Sequence, residues 1–173
     1  MNKFSACKDC ILHTVRRSVV QGRGIIPAKV LVIGEAPDKA DDMIGVAFVG
    51  QSGRLLDLLL QDAGFDLETV YRTNVVLCYP SDAFAGKYRE PEADEIIMCM
   101  KNIMSIIEEV KPSYVILAGD IAFKHYKKMF PAAAHISNPE IISRTGGKAS
   151  PFYTKNKRTL QILSERMKTD ART

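Results

Sequence analysis

No apolar run in the sequence approaches the length that a helix needs to cross a bilayer, which excludes a transmembrane protein. The first ten residues, MNKFSACKDC, lack the apolar core of a secretory signal peptide, so we expect a cytoplasmic protein. Internal repeats, low-complexity tracts and linker-like segments are missing as well. A chain of 173 residues therefore fits one domain, 1–173, with a substantial core.

The sequence also has little excess charge, with a formal net charge of +4. Its hydrophobic content of 46% and charged content of 25% are typical of a globular protein. The basic residues gather near both ends of the chain: Arg16, Arg17, Arg23 and Lys29, then Arg144, Lys148, Lys155, Lys157, Arg158, Arg166 and Lys168. These clusters could converge into a surface for phosphates, but charge alone favours solvated helix faces.

Cysteine is scarce, with four in the chain: Cys7, Cys10, Cys78 and Cys99. Disulfides are an improbable use for them in a cytoplasmic protein. The pair Cys7 and Cys10 has the C-x-x-C spacing of metal, cluster or redox sites, but the second pair does not repeat it. Spacing alone leaves three interpretations level: an iron–sulfur cluster, a zinc site and unrelated buried cysteines.

Hydrophobic patterning predicts strands that alternate with helices. Short apolar runs with Val and Ile predict strands at 29–34, 69–78 and 113–119, and the segment AAHIS at 133–137 is a candidate fourth strand. Helical spacing predicts helices from 52 to about 64, at 92–110, at 120–130 and from about 155 to 168, and a loop over 81–91. Cys99 lies three residues after Ile96 and four before Ile103, on the apolar stripe of its helix. This alternation predicts an α/β fold, a three-layer αβα sandwich around a mostly parallel four-stranded sheet.

Ligands of such sheets gather beyond the carboxyl ends of the strands. Three sequence blocks follow strand ends here: GEAP from Gly34, the segment from Asn74 to Pro80, and Ser137-Asn138-Pro139. We therefore expect these blocks to meet in one site.

The linked motifs GEAP-x4-D-x2-G-x2-FVG-x-SG-x-LL and TNVV-x-C-x-P resemble those of the family-4 uracil-DNA glycosylases, the iron–sulfur branch of the uracil glycosylase superfamily. The first motif is carried by Gly34, Glu35, Ala36, Pro37, Asp42, Gly45, Phe48, Val49, Gly50, Gly53, Leu55 and Leu56. The second is carried by Thr73, Asn74, Val75, Val76, Cys78 and Pro80. The N-terminal C-x-x-C-x-L and the cysteine on the helix after TNVV belong to the same pattern.

The resemblance implies a DNA glycosylase that hydrolyses the N-glycosidic bond of uracil or a related pyrimidine in DNA. It also implies that Cys7, Cys10, Cys78 and Cys99 ligate one structural [4Fe–4S] cluster. Its partner would be DNA containing uracil or a modified pyrimidine, and we expect a monomer that does not bind membranes.

The resemblance assigns roles to the loop after the first strand. Glu35 would orient water and stabilise a cationic sugar, and Phe48 would stack on a base flipped out of the duplex. Ala36 and Asn74 would contact the base. The acidic residues between Glu35 and Phe48 are interpreted as spacing and solvation. Without the resemblance, Glu35 reads as a strand-end carboxylate, Phe48 as core and Asn74 as a partner of nearby backbone.

Three further residues are assigned to DNA phosphates. Gln51 and Ser52 open a helix, where free N–H groups favour an anion. Arg144 is assigned the same role.

Three features depart from the family pattern. Asn138 stands where the family has a histidine that donates a hydrogen bond to the base, and asparagine cannot carry a positive charge. On this interpretation Asn138→His should raise excision at least about tenfold. His135 should face the other way and not substitute. Tyr88 and Arg89 stand where the family has Asn-Arg, and Asp38 replaces a glycine.

Two alternative functions remain open on the sequence. One is a catalytically inactive module that binds DNA or a protein partner on the glycosylase fold. The other is an enzyme that acts on a free nucleoside or nucleotide.

Overall fold

The computed structural model describes residues 3–82 and 86–171 of the chain. Four parallel strands form one sheet in the order β2-β1-β3-β4: β1 is Val30–Gly34, β2 is Val70–Asn74, β3 is Tyr114–Ala118 and β4 is Ala134–Ile136. The register pairs Val30 with both Val70 and Tyr114, so the central strand β1 ends level with its neighbours. Because all four strands are parallel, their carboxyl ends lie along one edge of the sheet.

Six α-helices connect and cover the strands: α1 is Lys39–Ile44, α2 is Gln51–Asp62, α3 is Ala93–Val110, α4 is Asp120–Tyr126, α5 is Pro139–Arg144 and α6 is Pro151–Asp170. Short 3-10 turns lie at Ile11–Thr14, Leu67–Thr69 and Gly147–Ala149. None of the helices in the described ranges combines the length and the apolar character that a membrane span requires.

Alternate residues of each strand enter two separate hydrophobic cores. Leu31 and Ile33 pack in the core that contains α3 and α4 residues such as Ile103 and Tyr126. Val30 and Val32 pack in the other, with the leucines of α2 and α6. Strand residues that point alternately to opposite faces place helices on both sides of the sheet. The predicted three-layer αβα sandwich is confirmed.

The second strand is shorter than the sequence predicts. It ends at Asn74, and residues 75–78 form a bend although all four are buried. The Val75 N–H still donates to the Gly34 carbonyl at 2.8 Å, after which the chain leaves the sheet. An apolar run is therefore a poor guide to the end of a strand when the run continues into the core. Cys78 lies on this bend and not on β2.

Two short helices, α1 and α5, were not predicted from the sequence. Each has six residues, which is too few for an apolar periodicity to show. Side-chain caps define both. Asp38 and Asp41 form a capping box at the start of α1, and the Asn138 side chain accepts the Glu140 N–H at the start of α5.

Helix α6 begins earlier than predicted, at Pro151 instead of about 155. The Ser150 hydroxyl accepts the Phe152 N–H, and proline occupies the first position.

Candidate active site

A pocket with an open volume of about 590 Å³ lies at the carboxyl edge of the sheet. Six of the residues assigned to a site from the sequence line it: Glu35, Ala36, Phe48, Ser52, Asn74 and Asn138. They come from the ends of β1 and β2, the loop before α2, the first turn of α2 and the start of α5. The expectation that the strand-end blocks converge is confirmed.

Glu35 is half-buried at the end of β1 and bonded to Asn138. The Asn138 Nδ2 donates to Glu35 Oε2, while the Asn138 Oδ1 accepts the Glu140 N–H at 2.9 Å. Both side chains cover Gly119, since a Cβ built there would lie 2.8 Å from Glu35 Oε2 and 3.4 Å from the Asn138 Cβ. Gly119 also has φ +102, so only glycine fits this close approach without strain.

Burial raises the pKa of the Glu35 carboxyl above its ordinary value, and the hydrogen bond from Asn138 opposes that rise. Three further carboxylates raise it as well: Glu90, Asp120 and Glu140. Proton uptake by Glu35 is therefore easier than for an exposed carboxyl, which suits a group that takes a proton from water.

Phe48 is a core residue and also part of the pocket wall. Its ring is 7% exposed and packs in the core with α2. Its backbone is left-handed, with φ +59, a conformation that is costly for a phenylalanine. Asp41 supports that backbone, since its carboxylate accepts the Val49 N–H at 2.8 Å and also a hydrogen bond from the Phe48 N–H.

The sequence predicted that the acidic residues between Glu35 and Phe48 are solvated spacers. For Asp41 and Asp42 this prediction is wrong, because both side chains are buried. Asp41 is 3% exposed and holds the Phe48 loop. Asp42 is 7% exposed and accepts the N–H groups of Arg17 and Ser18 at 3.0–3.1 Å, which ties the N-terminal arm to α1. A buried carboxylate that accepts several backbone N–H groups fixes loops that have no strand to hold them. A charged residue in a predicted loop is therefore not necessarily exposed to solvent.

Asn74 ends β2 with 2% of its surface exposed. Its Oδ1 is buried and has no hydrogen-bond partner in the described part of the chain. A buried polar atom without a partner is rare, and at the wall of a pocket it is suited to a ligand. Gly34 makes room for it, since a Cβ at Gly34 would lie 2.5 Å from both Asn74 Oδ1 and Phe48 Cζ.

The close approach to Gly34 gives a testable prediction for Gly34→Ala. The added methyl would push Asn74 and Phe48 outward together, and a misplacement of about 1 Å can cost about 10²-fold in rate. We expect single-turnover excision of uracil from an oligonucleotide to fall by about that factor. The matched control is Val32→Ala on the same strand, which loses core packing away from the pocket. Equal losses in the two variants would contradict the prediction.

The pocket is also lined by two tyrosines that were not assigned to a site from the sequence. Tyr79 and Tyr88 lie with ring centroids 6.2 Å apart, and both face the space beside Glu35. Tyr88 is held there by a bridge to Ser81 and by Arg89, which pairs with the buried Glu95 through two N–H···O contacts. The signal in the sequence was an aromatic residue directly after Cys78, at the end of the second predicted strand. Residues 83–85 of the predicted loop lie outside the described residues.

Asp38, which stands where the family pattern has glycine, lines the pocket and also has a structural role. It caps α1, and its carboxylate packs against Gly50, where a Cβ would come within 2.1 Å of Asp38 Oδ2. Its negative charge lies beside the start of α2.

The residues assigned to DNA phosphates are only partly brought together. Ser52 lines the pocket, whereas Gln51 is exposed at the first position of α2. Arg144 lies in the adjoining cleft and pairs with Glu140 four residues earlier. None of the N-terminal basic residues lines this cleft; Arg16 lies at the cysteines, and Arg23 pairs with Asp57.

His135 does not line the pocket, but it does line that adjoining cleft. Its ring stacks on Phe123 with centroids 4.1 Å apart, and its Nε2 lies 3.5 Å from Asp120 Oδ1. His135 therefore contacts Phe123 and Asp120 in the adjoining cleft, and nothing in its position supports a role in place of the family's histidine.

The four cysteines line one small cavity on the side of the sheet covered by α3. Cys7 and Cys10 come from the N-terminal arm, Cys78 from the bend after β2, and Cys99 from α3. The predicted position of Cys99 on the buried stripe is confirmed.

Each cysteine sulfur has an N–H donor nearby. Arg16 Nη1 lies 3.3 Å from the Cys78 sulfur, and Asn102 Nδ2 lies 3.7 Å from the Cys7 sulfur. The backbone N–H groups of Leu12 and Leu77 bond to the sulfurs of Cys10 and Cys99. These donors favour the thiolate form, because a thiolate accepts hydrogen bonds better than a thiol. Burial acts in the opposite direction and raises the pKa of the Cys10, Cys78 and Cys99 thiols, and the Cys7 thiol donates to Asp9 Oδ2 at 3.1 Å.

Within the described ranges, no group of three or more His, Cys, Asp or Glu side chains is arranged to hold a metal ion. Four thiolates on one Zn²⁺ lie about 3.8 Å from each other, given a bond of about 2.3 Å. In a [4Fe–4S] cluster each thiolate binds a different iron, so the sulfurs are farther apart. The structure thus shows the four cysteines around one small cavity, without the tight grouping that a single metal ion requires.

The sequence profile of the uracil DNA glycosylase superfamily matches residues 22–165. The chain belongs to this superfamily. Among its relatives are three proteins named type-4 uracil-DNA glycosylase, and the resemblance to that branch is confirmed. The protein of Saccharolobus solfataricus is 35% identical over 91% of this chain and 67% of its own length.

Two further relatives show the same likeness. The protein of Archaeoglobus fulgidus is 30% identical over 75% of this chain and 63% of its own length. That of Thermotoga maritima is 33% identical over 72% of this chain and 62% of its own length. The chain thus spans about two thirds of the length of the relatives that it matches.

Proposed function

We propose that this protein is a DNA glycosylase that removes uracil or a related pyrimidine from DNA, a reaction of base excision repair. One observation carries the proposal: Glu35, Phe48 and Asn74, assigned from separate motifs, line one pocket at the carboxyl edge of the sheet. The family to which the chain belongs and the names of its relatives support the same activity.

The pocket wall offers what a flipped base requires. The Phe48 ring supplies a flat apolar face for stacking, which contributes about 1–3 kcal/mol per base. The buried Asn74 amide, with its unpartnered oxygen, supplies the hydrogen bonds that distinguish one base edge from another. A neighbouring N–H at Ala36 is available to a base oxygen, whereas Pro37 has none.

Glu35 supplies the chemistry of the cleavage step. As the C1′–N1 bond breaks, its electron pair leaves with the base and positive charge develops on the sugar. The Glu35 carboxylate stabilises that charge and accepts a proton from the water whose oxygen bonds to C1′. Burial of Glu35 strengthens both effects, because electrostatic interactions are stronger away from bulk water.

We propose further that Cys7, Cys10, Cys78 and Cys99 hold a [4Fe–4S] cluster. The shared cavity and the N–H donors on the four sulfurs support this assignment. When bound, the cluster supplies a cross-link between the N-terminal arm, the bend after β2 and α3, and base excision requires no redox step from it. Ser52 and Gln51 at the start of α2, and Arg144 in the adjoining cleft, are proposed to contact DNA phosphates.

Excision from defined oligonucleotides tests the proposal. The protein is incubated in excess with duplexes and single strands that carry one uracil or one modified pyrimidine, and abasic sites are then cleaved with alkali. We expect cleavage at the marked position. Binding of these strands without cleavage would instead favour the inactive binding module. Release of free base from nucleosides alone would favour an enzyme that acts on a free nucleoside or nucleotide.

A further inference from the structure

We infer that Asn138 is a positioning residue that fixes the Glu35 carboxylate, and that it does not take over the role of the family's histidine toward the base. This inference deepens the proposed function and depends on it for its activity measurements. It rests on the two hydrogen bonds of the Asn138 side chain, on the close approach to Gly119 and on the charges around the pair.

The first contact fixes the orientation of the Asn138 amide. A backbone N–H can only donate, so the amide atom 2.9 Å from the Glu140 nitrogen must be the oxygen. The NH2 group then faces Glu35, and it donates to Oε2. One planar amide group therefore makes both hydrogen bonds: its oxygen caps α5, and its nitrogen donates to Glu35.

The second observation is the close approach of Glu35 and Asn138 to the backbone of Gly119. Gly119 has no side chain, and the space that a Cβ would fill is taken by Glu35 Oε2 and by the Asn138 side chain. Glu35 therefore rests on the backbone between β3 and α4 and is held from the side by α5. A carboxylate restrained on two sides loses little further entropy when it orients a water molecule.

The third observation is the charge around the pair. The groups that face Glu35 are mostly acidic: Tyr88 and Glu90 from the segment before α3, Asp120 from α4 and Glu140 from α5. Lys124, Arg144 and Lys155 line the adjoining cleft, and His135 lies beyond Asp120. The Asn138 amide donates to Glu35 and lowers its pKa, whereas burial and the neighbouring carboxylates raise that pKa.

Two variants separate this role from simple helix capping. Asn138→Asp keeps an oxygen for the Glu140 N–H but replaces the donor with a carboxylate beside Glu35. Asn138→Ala loses both contacts. The structural control is Ser150→Ala, which removes the cap of α6 and has no contact with Glu35.

The readout is the single-turnover excision rate as a function of pH. The rate depends on ionised Glu35, so it rises with pH through the pKa of that group. Loss of a hydrogen bond to the charged carboxylate should move this dependence by about one to two pH units. We expect the acid limb to move upward by about that amount in Asn138→Ala, and at least as far in Asn138→Asp. Ser150→Ala should leave the limb in place.

Rates at neutral pH add a second comparison. We expect a loss of about tenfold or more in both Asn138 variants. Asn138→His should show no gain, because an imidazole at this position would have to serve the cap, the carboxylate and the base together. An unmoved acid limb in Asn138→Ala, or a tenfold gain in Asn138→His, would overturn the inference.

A titration that needs no activity keeps this inference separate from the proposed function. The Glu35 carboxyl carbon is followed by NMR in protein with 13C-labelled glutamate and assigned with Glu35→Gln. We expect its pKa to rise in Asn138→Ala and to stay unchanged in Ser150→Ala. If the unmodified protein excises no base, the proposed function fails, and this titration still decides the role of Asn138. An unchanged pKa in Asn138→Ala would refute it.

Discussion

Glu35→Gln should lower single-turnover excision of uracil by about 10³-fold at neutral pH, since a positioned acid or base contributes about 10²–10⁴-fold. The substitution keeps the shape of the side chain and its contact with Asn138. It removes the negative charge that faces the developing sugar cation and the oxygen that accepts a proton from water. Both losses act only in the transition state, so the effect belongs to the chemical step.

Binding measurements separate this effect from damage to the pocket. Affinity for uracil-containing DNA should be unchanged or slightly higher in Glu35→Gln, because a carboxylate near a phosphate backbone repels it. The matched control is Glu108→Gln, an exposed position near the end of α3 that carries the same change of charge. We expect that control to retain the full rate. A Glu35→Gln protein with a rate within about tenfold of the unmodified one would remove Glu35 from the reaction.

The sequence predicted the architecture well because the strands are buried on both faces. Continuous runs such as VLVIG in β1 leave little choice between a strand and a loop, and the alternation with helices then implies parallel pairing. Cys99 could be placed from the spacing of Ile96 and Ile103 alone. The strand ends followed from the same pattern, so Glu35 and Asn74 could be assigned to one edge of the sheet.

The supporting contacts of the site could not be predicted in the same way. Asp41 and Asp42 look like solvated charges in the sequence, and their burial depends on backbone N–H groups brought in from other segments. The contact between Asn138 and Glu35 joins residues 103 positions apart and depends on the missing side chain at Gly119. Periodicity reports which face of an element is apolar, but it carries no information on such hydrogen bonds.

Removal of one cysteine ligand should have the second large effect, on stability. We expect Cys99→Ala to abolish the brown colour and visible absorption of a [4Fe–4S] protein. The proposed cluster would join the arm around Cys10 to the bend around Cys78 and so close a long loop, and cross-links of that length contribute about 4 kcal/mol. For a chain of this size that corresponds to a fall of about 10 °C in the melting temperature.

The structure indicates which part of the molecule loses order first. Residues 4–20 contribute no strand to the sheet. Besides the cysteines, they are attached by the buried Leu12, by the ion pair of Asp9 with Lys101, and by hydrogen bonds of Asp42 and Arg16. Hydrogen exchange in Cys99→Ala should therefore accelerate in residues 4–20 before it does in β1 or β3, where the strands are fully buried. Met98→Leu is the matched control, because Met98 lines the same cavity without being a proposed ligand. A colourless unmodified protein that contains zinc would contradict the cluster. If Cys99→Ala melts at the same temperature, the cysteines do not stabilise the fold, and the core packing and polar contacts of the arm hold it in place.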